Sequence, residues 1–107
     1  MAQFDDFLQE IKTGVVKIAQ TQAISFIKQA ESDGQAFIDA FKADLQTWLK
    51  QLADGELSLS DFEFLVQGKK DLVEMNALTQ TGLAAVKIDQ IRSAVIDLVI
   101  TAAGKLI

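Results

Sequence analysis

No proline occurs anywhere in the 107 residues of this chain, so nothing in it forcibly ends a helix. Histidine, cysteine and tyrosine are absent as well, which removes the commonest nucleophile–base pairs and transition-metal ligands. Helix is favoured and side-chain chemistry is not. At this length one domain is expected, burying about two-thirds of the surface its unfolded chain would expose. Half of the residues are hydrophobic, so some apolar surface is expected either to stay outside or to meet a partner.

Charge narrows the partners. Fifteen acidic residues against ten basic ones leave a net charge of -5, which repels phosphate backbones, and nucleic acid is not an expected partner. The stretch Met1-Ala2-Gln3-Phe4-Asp5-Asp6 is acidic where a secretory signal would be basic and then apolar, so a cytoplasmic location is expected. The absence of cysteine excludes a disulfide scaffold.

Apolar or small residues recur at steps of three and four, the mark of one helix face. They fall at Phe4, Leu8, Ile11, Val15 and Ile18, then at Ile27, Ala30, Gly34, Phe37, Phe41, Leu45, Trp48 and Leu52. A polar break follows over 54–60, where Gly55 suits a positive-φ helix end and Ser58 or Ser60 suits a cap, Ser60 with Glu63 matching a capping box. The second segment runs from about Asp61 to the end. One of its stripes holds Leu65, Leu72 and Met75, and another holds Val73, Ala77, Ala84, Ile88, Ile91, Val95, Leu98 and Ala102.

The fold class is therefore all-α, a single helical domain over 1–107, with two architectures open. If the weak breaks at Asp33-Gly34 and Thr81-Gly82 stay helical, two rods make a long antiparallel hairpin of about 75 Å, at 1.5 Å per residue. If both are turns, the chain is a monomeric up-down-up-down four-helix bundle. The register from Ile27 to Leu52 passes unbroken through Gly34, which favours the hairpin. Pairing across a turn near Ser58 sets Gly34 opposite the Gly82 region and Gly14 opposite the Gly104 region, as glycines allowing close helix approach would be, although two turns at one end of a compact bundle would give the same pairing.

Two rods cannot cover their own apolar faces. Between Ala94 and Ile107 the polar side chains are Asp97, Thr101 and Lys105, one narrow stripe on a helix that is otherwise apolar and so expected to be nearly surrounded. A second hairpin, giving a homodimer or higher oligomer, supplies that cover. The predicted interface comprises Trp48, Ile88, Ile91, Val95, Leu98, Val99, Ala102 and Leu106. A lipid surface is the alternative occupant of the same face, although Asp97 and Lys105 interrupt it short of the roughly 20 residues a spanning helix needs.

Candidate chemistry is sparse. Asp54 to Phe62 resembles the second half of an EF-hand calcium loop, but the leading ligand positions fall on Lys50 and Leu52, which cannot bind calcium, so a capped interhelical loop is expected. Lys69-Lys70-Asp71 with Glu74 reads as a solvated face, Lys70 and Glu74 being four apart. Asp89, Arg92, Ser93 and Asp97 make a polar band in the most apolar helix, where register control is the plain reading and a small polar ligand site the sharper one. No catalytic group, cofactor or metal is expected. In length, acidity, lack of cysteine and a central tryptophan before a turn, the chain resembles the small helical hairpins exported by type VII secretion systems. It has neither their Trp-x-Gly turn, since Trp48 precedes Leu49-Lys50, nor a tyrosine for their export signal. The expected function is that of a non-enzymatic structural or interaction protein that self-associates and offers a groove to a partner helix.

Overall fold

In a computed structural model the chain folds into five helices, α1 (Ala2–Gln22), α2 (Ile27–Ala53), α3 (Leu59–Gln67), α4 (Asn76–Gln80) and α5 (Ala85–Lys105). The structure describes residues 2–23, 25–70 and 75–105. No strand occurs among the described residues, so the all-α expectation holds.

The two-rod arrangement does not. The longest dimension is 43 Å, about what the 27 residues of α2 span alone. The second half of the chain breaks at Thr81-Gly82, where Gly82 takes φ +81°, while Thr81 Oγ1 donates to the Leu78 carbonyl at 2.6 Å and accepts from the Leu83 amide at 3.2 Å. The first half breaks at 23–26, with the Phe26 amide donating to the Ala23 carbonyl at 2.7 Å. Gly34, by contrast, lies within α2, as the unbroken register required.

The central break closes α2 by a left-handed glycine. Gly55 has φ +79°, and the Gly55 and Glu56 amides donate back to the carbonyls of Leu52 and Gln51 at 3.3 and 2.9 Å, the Schellman pattern. α3 then starts on a capping box of Ser58 and Asp61: the Asp61 amide donates to Ser58 Oγ at 3.1 Å, and the Ser58 amide donates to Asp61 Oδ2 at 3.4 Å. The expected box of Ser60 and Glu63 sits two residues too late.

α1 packs against α2 and α5. Gly14 lies against Leu98, and Lys105 Nζ reaches Glu10 Oε1 at 2.7 Å, so α1 and α5 run antiparallel. α3 lies on α5 and α2, and α4 on α2 and α5. One hydrophobic core joins Phe7, Ile11, Leu45, Phe62, Leu78, Ile91, Val95, Ile96 and Val99, so every helix contributes to it. The glycine pairing differs from the expected one: Gly14 admits Leu98 and Gly34 admits Val15, since α1 returns along α2 rather than continuing into it.

Candidate functional site

Five of the eight predicted interface residues lie in the core of the single chain. Ile88, Ile91, Val95, Val99 and Ala102 are all buried, Val99 completely, and Leu98 is half-buried against Gly14 of α1. Leu106 lies outside the described residues. Their stripe on α5 faces α1, α3 and α4 of the same chain, so the surface expected to need a second copy is already covered. The two-rod premise caused the misplacement, because folding back at 23–26 and 81–84 brings three more helices onto α5 than a hairpin would.

Trp48 belongs to a different place. It is half-buried on α2 beside the core, and Lys69, just past the end of α3, lies over both its ring and that of Phe41, Nζ standing 5.8 and 5.4 Å from the two centroids. Asp44, between the two aromatics in sequence, pairs with Lys69 Nζ at 3.4 Å. Trp48 and Phe41 flank the ammonium while Asp44 neutralises it, which tethers the end of α3 to the middle of α2. Lys69 therefore does not belong to a freely solvated face. The signal for this clamp was available as Phe41, Asp44 and Trp48 at spacings of three and four, but nothing in the sequence says which cation meets them. Asp71 and Glu74, read with Lys70 as part of that charge pattern, lie outside the described residues.

Among the described residues the polar band of α5 does not converge on a site. Arg92 pairs with Asp89 on its own helix at 3.1 Å, and Asp97 is exposed. The Asp54–Asp61 loop offers no ligand cage, and no group of three or more acidic side chains that could hold a metal occurs among the described residues. A depression of about 430 Å³ runs between α1 and α2 and is lined by Leu8, Ile11 and Ile38 with Asp5, Lys12, Asp39 and Lys42 around them. Asp39 there accepts from Gln35 Nε2 at 3.0 Å, and both charge signs alternate, so it selects no ligand charge. No helix among the described residues is long and apolar enough to cross a membrane.

One polar group was missed by the sequence reading. Asp33, taken there only as half of a weak break, is 4% exposed and is the one buried charged side chain among the described residues. Its carboxylate accepts from the Ala77 amide at 3.0 Å and from the Leu78 amide at 2.8 Å, which are among the first donors of α4 and have no carbonyl partner within that helix. Met75, at the position where a cap residue stands, makes no side-chain capping bond. An aspartate 44 residues away thus does the work of a local cap.

Comparison of the chain with known protein families, with curated proteins and with solved structures found no match.

Proposed function

We propose that this chain is a non-enzymatic helical protein that acts by associating with protein surfaces, a second copy of itself first. The observation that carries the reading is Phe64. It lies on the outer side of α3 at 79% exposure, while Phe62 and Val66 on either side of it are buried. Burying a phenylalanine side chain is worth about 1.5 to 3 kcal/mol, and a twofold contact between α3 helices would bury two at once. We read the fold as the single-chain form of the bundle, with α3 and α4 in succession taking the fourth position beside α1, α2 and α5. The association surface then belongs on the outside of α3 rather than on the stripe of Ile88 to Ala102.

Lipid association through the Ala94 to Ile107 face is the weaker reading, because Val95, Ile96 and Val99 would have to leave the core to reach a membrane. A chain without cysteine needs no oxidising compartment, and the cytoplasm is the setting this reading assumes. Light scattering on size-exclusion fractions tests the proposal. A mass of two 11.7 kDa chains that falls to one in Phe64→Asp, with helical circular dichroism retained, is the expected result. A wild-type mass of one chain at every concentration up to about 1 mM rejects self-association, 1 mM being the weak end of measurable affinity.

A further inference from the structure

The cap that Asp33 supplies to α4 has a consequence for how the molecule opens. α4 is five residues long, too short to stand without tertiary support. Its support includes three features, besides the half-buried Leu83 that packs against the core just beyond it. The Asp33 carboxylate holds the Ala77 and Leu78 amides; Met75 and Leu78 are its two large buried side chains; and the far end turns at Gly82 with positive φ. Nearly all the rest of the core joins α1, α2, α3 and α5 directly, as with Val15 on Gly34 and Leu98 on Gly14. We infer that Asp33 is a latch: residues 75–84 form a strap that opens as one unit when this carboxylate lets go, while α1, α2 and α5 stay folded.

Opening withdraws Leu78 and Met75 together, because the bonds of Thr79 to the Met75 carbonyl and of Thr81 to the Leu78 carbonyl keep the strap intact within itself. It uncovers the strip of α2 and α5 on which α4 lies, an apolar surface hidden in the closed state. The latch stands independently of the association proposed for α3. Its carboxylate is unusual in that both acceptor oxygens are spent on a segment far away in sequence, so the contact reports the closed state of the strap alone.

Native-state amide hydrogen exchange of the whole protein, followed residue by residue in low urea, tests the latch. In the wild type the amides of Ala77, Leu78, Thr79 and Thr81 are expected to exchange together, at least about tenfold faster than those of Val95 and Val99. Their dependence on urea should be shallower than that of global unfolding, the mark of a sub-global opening. In Asp33→Asn, where one accepting oxygen becomes a donor facing a donor, the strap amides are expected to accelerate by a further factor of about ten, with α5 amides changed less. Exchange of the strap amides at the rate and urea dependence of Val95 and Val99 overturns the inference in the wild type alone, whether or not the variant folds. Equal acceleration of both groups in Asp33→Asn overturns it as well, since the carboxylate would then support the whole fold.

Discussion

Two glycines inside helices have opposite prospects. A methyl added at Gly34 would stand 2.6 Å from Val15 Cγ1, and one at Gly14 would stand 2.4 Å from Leu98 Cδ1. Valine is stiff about χ1 and Val15 is buried, so it has nowhere to go. Leu98 is half-buried and meets Gly14 with the far end of a flexible side chain. Both substitutions by alanine gain about 1 kcal/mol of helix propensity. Gly34→Ala should still be destabilising, by up to about 2 kcal/mol net, because overpacking typically costs about 1 to 3, whereas Gly14→Ala should fall within about 1 kcal/mol of wild type. Thermal melts resolve this, since 1 kcal/mol shifts the midpoint of a domain this size by about 4 to 8 °C. A Gly34→Ala, Val15→Ala double variant should be more stable than the sum of its singles by at least about 1 kcal/mol; additivity would show that the two side chains do not meet. The need for a small residue at 34 was legible in the register through Gly34, but its partner was not. The role of Asp33 was hidden altogether, because a cap acting across 44 residues leaves no local pattern.

Helix ends separate what could be read from what could not. The loop after Ala53 was legible because Gly55 and the serines are strong local signals. Of the two candidate capping serines, Ser58 holds the Asp61 amide, so Ser58→Ala should cost about 1 kcal/mol and Ser60→Ala close to nothing, measured by urea denaturation. The reverse order of effects would mean that α3 begins two residues later than the structure has it. The turn at 23–26 carries neither glycine nor proline, and no side-chain cap opens α2. Its trace in the sequence is the phase: the apolar face of α1 and that of α2 are each regular, but Ile18 and Ile27 are nine residues apart, half a helical turn out of register at 100° per residue. Packing of α1 back onto α2 decides that turn, through contacts such as Val15 on Gly34. Gly82 was one of two weak breaks that the favoured hairpin kept helical, and its positive φ explains why a helix stops there without proline.

The chain as a whole behaves as a closed unit. Its accessible surface of 6144 Å² is close to the roughly 5,900 Å² that the scaling law gives for a folded monomer of its mass, so no helix face remains open on the scale that a hairpin would leave. The sequence correctly marked α5 as a helix that must be surrounded, since its one polar stripe is too narrow for a surface position. It could not say by what, because a face covered by the same chain and a face covered by a second copy have the same periodicity. Val95 decides between them. At 2% exposure within the core, it should give, in Val95→Asp, a chain with an unpaired buried carboxylate whose cost, several kcal/mol, consumes most of the roughly 5 to 15 kcal/mol that holds a domain together. Far-ultraviolet circular dichroism of Val95→Asp should therefore show loss of helix at every protein concentration. Phe64→Asp should keep its helix and change only the mass. If Val95→Asp remained a folded monomer while the wild type was a dimer, α5 would be the assembly surface after all, and the self-contained core would be the wrong description of this chain.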